Sequence, residues 1–148
     1  MNKKKNLTTK ETFALAVQNH QKNNLQVAEN LYKKILKTNP NHASAHNNLG
    51  LIFHAYKDFQ KARSYYQKAI QFQPDYADAH NNLGNVFKEL GEHQKAKSCY
   101  QKTIEIQPNY AGTHYNLGIV FKELGEHQKA ISSYQKAIEI QPGYASAH

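Results

Sequence analysis

Residues 77–108 read ADAHNNLGNVFKELGEHQKAKSCYQKTIEIQP, and residues 111–142 read AGTHYNLGIVFKELGEHQKAISSYQKAIEIQP. The second stretch repeats most of the first 34 residues later, and the same step separates Pro40, Pro74, Pro108 and Pro142. Working outward, each copy carries H-x2-L-G-x2-F, then A-x3-Y, then proline. The residues are His46, Leu49, Gly50, Phe53, Ala62, Tyr66 and Pro74. They recur as His80, Leu83, Gly84, Phe87, Ala96, Tyr100 and Pro108, and as His114, Leu117, Gly118, Phe121, Ala130, Tyr134 and Pro142. Self-similarity at a fixed period of this size signals stacked supersecondary units that share one continuous core.

Each copy reads as helix, tight turn, helix. Leu83, Phe87 and Leu90 recur at helical spacing and predict a first helix over about 77–90. Gly91 ends it, because glycine takes the left-handed backbone a helix C-terminus often needs. A second helix is expected over about 94–106, with Ala96, Tyr100, Thr103, Ile104 and Ile106 on its buried side, until Pro108 forbids continuation. Gly125 repeats the turn, whereas Lys57-Asp58 and Asn23-Asn24 stand there in the earlier copies. Asn tolerates left-handed backbone better than Lys does. A helix-interior Gly costs roughly 0.5–1 kcal/mol against Ala. The recurrence of Gly50, Gly84 and Gly118 therefore predicts close helix approach, with Ala62, Ala96 and Ala130 on the second helices.

The pattern resembles the tetratricopeptide repeat, with His where that family has Trp. The resemblance covers roughly residues 9–148. It implies an all-α solenoid, a right-handed superhelix of antiparallel helix pairs. The expected organisation is a disordered basic tail (1–8), a divergent capping repeat (9–42), three repeats (43–76, 77–110, 111–144) and the start of a truncated fifth (145–148). The first repeat keeps Leu15, Ala28, Tyr32 and Pro40 but places Thr12, Ala16 and Asn19 at the signature positions. Terminal repeats depart in this way because one face meets water. The pattern reopens after Tyr144 and stops, which reads as a fragment of a longer chain. Ile131, Tyr134, Ala137 and Ile138 would then face an absent helix and favour end-to-end self-association through the uncapped last repeat.

Composition narrows the function. No run approaches the ~18 apolar residues of a membrane helix, and the segment after Lys3, Lys4 and Lys5 is too short for a signal peptide. Cys99 is the only cysteine, which suits a reducing cytoplasmic setting. The net charge is +8, but Arg63 is the only arginine. Phosphate and base recognition favour the bidentate guanidinium, so no nucleic-acid partner is expected. Lysines that recur by repeat (Lys61, Lys95, Lys129; Lys68, Lys102, Lys136) read as solvated outer faces.

Catalytic and metal chemistry find little support. His46, His80, His114 and His148 form a series, but equivalent positions in stacked units lie about 10 Å or more apart. Zinc ligands must meet at about 2 Å, so no metal or other cofactor is expected. The pairs Lys88-Glu89, Lys122-Glu123, Glu92-His93 and Glu126-His127 repeat because the unit repeats. No phosphate loop, nucleophile elbow or HExxH motif occurs, and Cys99 has no unique His partner. The chain as given reads as a non-enzyme.

The informative series is Asn48, Asn82 and Asn116, each just before Leu-Gly. Asn is a middling helix former, and its amide both donates and accepts. The family resemblance places first helices along a concave groove, and the residues before Leu-Gly are similar to the asparagine ladder of O-GlcNAc transferase repeats. This implies a groove for an extended or helical peptide, with the ladder amides on the peptide backbone. Asn47, Leu51, Asn81, Asn85, Tyr115 and Ile119 are expected to supply selectivity. An alternative role for the amides is to tie adjacent helices together. Residues 77–110 and 111–144 differ at eight of 34 positions, among them Asp78/Gly112, Ala79/Thr113, Asn81/Tyr115 and Asn85/Ile119. All but Ala79/Thr113 are expected to face the groove. These places hold no basic clamp for a chaperone carboxylate. The expected partner is a protein or peptide, with no membrane. Two other readings are a substrate-presenting arm of a larger glycosyltransferase or sulfotransferase, and a self-assembling scaffold.

Overall fold

The computed structural model of the chain describes residues 6–143. Eight α-helices follow one another among them: α1 (Thr9–Gln21), α2 (Leu25–Thr38), α3 (Ala43–Ala55), α4 (Phe59–Phe72), α5 (Ala77–Glu89), α6 (His93–Ile106), α7 (Ala111–Glu123) and α8 (His127–Ile140). The expected helices of the copy at 77–108 are α5 and α6, within a residue at each end. The all-α reading holds. Residues 1–5 of the expected tail, and the restart of the pattern over 145–148, lie outside the described residues. Thr8, read with the tail, instead caps α1: its hydroxyl accepts from the Glu11 amide at 3.1 Å, and the Glu11 carboxylate accepts from the Thr8 amide at 3.2 Å. This reciprocal capping box is written in the sequence as T-x-x-E.

The chain divides into two units, Met1–Phe72 with α1–α4 and Gln73–His148 with α5–α8. In the first, α1 packs on α2, α3 on α4, and α2 on α3. In the second, α5 packs on α6, α7 on α8, and α6 on α7, with a lesser contact of α5 with α7.

Every hairpin turns in the same way. Asn23, Lys57, Gly91 and Gly125 all adopt left-handed backbone, with φ of 64°, 62°, 75° and 77°. The next amide reaches back to the carbonyl five residues earlier: Asn24 to Asn19, Asp58 to Phe53, Glu92 to Phe87 and Glu126 to Phe121, at 2.8–2.9 Å. This is the Schellman closure, which satisfies carbonyls a helix end would otherwise leave open. Lys57 meets the geometry with a Cβ, so it carries strain that Gly91 and Gly125 do not.

Within the last three hairpins a tyrosine ring fills the space that a glycine leaves, whereas α1 has Ala16 at that place. A Cβ on Gly84 would lie 2.7 Å from Cε1 of Tyr100, and one on Gly118 would lie 2.6 Å from Cε1 of Tyr134. Gly50 meets Tyr66 in the same manner. Around these contacts lie Leu49, Leu83 and Leu117, then Ile52, Val86 and Val120, with Ala62, Ala96 and Ala130 on the second helices, all buried. The stripe of Leu and Phe was legible beforehand, whereas the fully buried Ile52, Val86 and Val120 were not singled out. Ile104 and Ile106, expected on the buried side of α6, are only half-buried. On α8, Ile131 is exposed, Tyr134 and Ile138 are half-buried, and Ala137 is fully buried. Ala137 therefore does not belong to an open apolar end.

Two substitutions test this packing. Gly84→Ala should destabilise the fold by about 1–3 kcal/mol, since the Tyr100 ring is part of a packed core and must shift. Lys57→Gly should stabilise it by roughly 1 kcal/mol by relieving left-handed strain. Chemical denaturation of the full chain measures both, and the two shifts should have opposite sign.

Candidate functional site

The ladder amides sit at one register on successive first helices, each beside a buried Leu-Gly pair. Asn48, Asn82 and Asn116 are all half-buried. In the first unit, Asn48 Nδ2 donates to the Tyr32 hydroxyl on α2 at 3.2 Å, and Asn48 Oδ1 accepts from Asn47 Nδ2 at 3.2 Å. The Tyr32 hydroxyl also lies 3.3 Å from His20 Nδ1. In the second unit, Asn116 Nδ2 donates to Asn85 Oδ1 at 3.2 Å, and Asn116 Oδ1 accepts from Lys88 Nζ at 3.1 Å. Tyr100 donates its hydroxyl to the same Asn85 oxygen at 2.5 Å. Asn48 and Asn116 therefore tie neighbouring repeats, and each still has one N–H beyond those bonds.

Asn47 and Asn81, expected to point into a groove, are buried at 3% and 6% exposure. Asn81 Oδ1 accepts from the fully buried Thr113 Oγ1 at 2.7 Å, a bond between α5 and α7. The cause is angular: one residue before the ladder amide is about 100° round the helix, which turns the side chain toward a neighbouring helix. These two residues are corrected to internal ties. Leu51, Asn85, Tyr115 and Ile119 are half-buried, and the Tyr115 ring lies 5.8 Å from that of Tyr134 on α8.

Sequence reading missed Lys88 by treating it as half of a pair that repeats with the unit. Asn81, Asn85 and Lys88 fall at i, i+4 and i+7, the spacing of one helix face, and that signal was available. Burial holds the Lys88 ammonium below the usual lysine range.

The histidine series has a shared structural task. His46, His80 and His114 each place Nε2 at 2.8–2.9 Å from a proline carbonyl six residues earlier, those of Pro40, Pro74 and Pro108. The ring nitrogen donates, since a carbonyl can only accept. His42 caps α3, its Nδ1 accepting from the Ala45 amide at 3.1 Å. Glu92 and Glu126 precede α6 and α8 and pair with Lys95 at 3.6 Å and Lys129 at 2.8 Å. Burial pushes the Cys99 thiol up to about 11, so it stays protonated and is a poor nucleophile at neutral pH. Among the described residues no helix is long and apolar enough to cross a membrane.

With this geometry in place, three tetratricopeptide repeat families match the sequence, over residues 31–64, 55–91 and 75–142. A crystal structure of MamA matches with a TM-score of 0.81 at 31% identity, covering 89% of this chain and 77% of that one. A second crystal structure of the MamA protein gives 0.83 at 30%, covering 94% and 76%. MamA from Desulfovibrio magneticus RS-1 gives 0.80 at 20%, covering 93% and 78%, a likeness of fold alone. Among curated proteins no match is found. The chain belongs to the tetratricopeptide repeat family. Fold and family define a protein-interaction module.

Two measurements test the internal chemistry. The Tyr66 hydroxyl is buried without a hydrogen-bond partner, because Leu51 stands at the register that Asn85 occupies for Tyr100. Tyr66→Phe should be neutral or slightly stabilising, while Tyr100→Phe should cost about 0.5–1.5 kcal/mol. Burial also lowers the pKa of His46, whose Nδ1 has no partner, so the folded state resists its protonation. Its contribution is complete above the ordinary histidine pKa of about 6.5 and is lost as pH falls below that value. The melting temperature should drop on acidification from about pH 7.5 to 5.5, and His46→Gln should reduce the drop.

Proposed function

We propose that the chain binds a peptide segment of a partner protein along its first-helix faces, and that it acts as an interaction module rather than a catalyst. Asn48, Asn82 and Asn116 are the backbone contacts, and Leu51, Asn85, Tyr115 and Ile119 supply side-chain selectivity. Lys88 adds a cation beside Asn116. The observation that carries this reading is the state of the ladder amides. They are half-exposed at one register, and internal bonds orient Asn48 and Asn116 without exhausting their donors. A pre-oriented donor gives up little freedom when a ligand arrives. The likeness of the ladder to that of O-GlcNAc transferase repeats and the extended or helical form of the peptide are both part of the proposal.

Peptides selected from a random display library on the full chain provide the test. The combined Asn48→Ala, Asn82→Ala, Asn116→Ala variant should bind them more weakly. Each lost hydrogen bond is worth on the order of 0.5–1.5 kcal/mol, which predicts a loss of about ten- to a thousandfold in affinity if the three add. The variant should stay helical by circular dichroism, with a lower melting temperature because Asn48 and Asn116 also tie repeats. Undiminished binding would refute the ladder contact, and a variant that unfolds outright would make the amides structural ties.

A further inference from the structure

The net charge of +8 is not spread along the chain. Residues 1–72 hold twelve Lys and Arg against three Asp and Glu, whereas residues 73–148 hold seven against eight. The whole surplus therefore belongs to the first unit. A charge difference of this size between two halves built on one repeat points to a partner of opposite sign.

The register of the repeat shows where the difference is made. On the outer side of the second helices of the second unit, Lys102 pairs with Glu105 at 3.4 Å and Lys136 with Glu139 at 3.6 Å. These are i,i+3 pairs that neutralise the surface they stand on. At the same two positions the first unit has Lys34 and Lys37 on α2, and Lys68 and Gln71 on α4. All four side chains are exposed. Among the described residues Lys34, Lys37 and Lys68 form no ion pair. Like charges one turn apart weaken a helix, so the exchange of Glu for Lys at residue 37 works against the fold that carries it.

An aromatic pair gathers the charges of the two helices. Phe53 and Tyr65 stack at 5.5 Å with 5° between their planes. Lys33 from α2 and Lys61 from α4 stand 5.7 and 5.2 Å from the Phe53 ring centre, and Lys68 stands 5.6 Å from that of Tyr65. Ring faces hold ammonium groups in place. In the second unit Lys95 and Lys129 also stand 5.6 and 5.7 Å from the Phe87 and Phe121 ring centres, but Cys99 and Ser133 take the register of Tyr65, so the stacked second ring with a lysine over it is missing there. Phe53 and Tyr65 spend their faces on each other and on lysines, and Phe53 is 7% exposed. Stacking of unpaired bases requires free ring faces. Lysine heads are separate point charges that attract either anion, so the lack of free ring faces is the point that favours carboxylates over unpaired nucleic acid.

We propose that the outer face of α2 and α4 in the first unit, with Lys34, Lys37 and Lys68 as its uncompensated cations, docks an aspartate- and glutamate-rich segment of another protein. This face is separate from the ladder amides, so the two bindings can be tested independently. Fluorescence anisotropy with a labelled oligoglutamate peptide on the full chain is the experiment, with labelled single-stranded and duplex DNA as comparators. Oligoglutamate should bind and weaken as salt is raised. Lys34→Gln, Lys37→Gln and Lys68→Gln together should reduce its affinity by about tenfold or more, while Lys102→Gln with Lys136→Gln should leave it unchanged. Lys37→Glu rebuilds on α2 the pair that Lys102 and Glu105 make on α6. It should weaken binding while holding or raising the melting temperature, which separates lost docking from lost folding. The proposal is overturned if oligoglutamate does not bind, if the two Gln variants lose affinity equally, or if either DNA binds more tightly at the same salt.

Discussion

The contact between a helix glycine and a tyrosine ring sets the geometry of the last three hairpins. Tyr66, Tyr100 and Tyr134 each lie where a Cβ of Gly50, Gly84 or Gly118 would be. Two helices joined by a short turn can pack at many distances, and the size of the residues at the crossing selects one. A ring against bare backbone brings the pair close while filling the space completely, which a protein interior requires. The buried Leu and Ala positions follow from that separation, and so does the face on which the ladder amides emerge.

Repetition turns each exception into an informative comparison. The same site in another copy shows what the scaffold alone requires. Asn85 satisfies the hydroxyl of Tyr100, and Leu51 leaves that of Tyr66 unbonded. Gly91 and Gly125 turn without strain where Lys57 does not. The Lys-Glu pairs of α6 and α8 become Lys34 with Lys37 on α2. In each case the scaffold tolerates the change, so the difference is open to be used for binding.

The helices were legible because their signals are local. Proline and glycine act within a residue or two of where they stand, and the 34-residue step repeats the signal. The candidate site was less legible because exposure depends on angle. Asn47 and Asn48 are adjacent, and a turn of about 100° divides a buried tie from a half-exposed amide. Thr8 and Lys88 were within reach of spacing rules and were overlooked, one as tail and the other as half of a pair that recurs with the repeat. The orphan hydroxyl of Tyr66 was not legible, since it arises from a side chain on the facing helix. The total charge concealed the contrast between units, because a sum carries no position.

The bonds from His46, His80 and His114 to the proline carbonyls bear on how such a chain can grow. Each spans six residues across the joint between one copy and the next, so the joint has a measured length. A gene rearrangement that inserts or removes one whole period reproduces the joint intact wherever it falls. One that adds or drops a few codons between proline and histidine leaves the imidazole short of its acceptor. Elongation by complete copies is thus the permitted route, and the near identity of residues 77–110 and 111–144 fits a chain extended in that way.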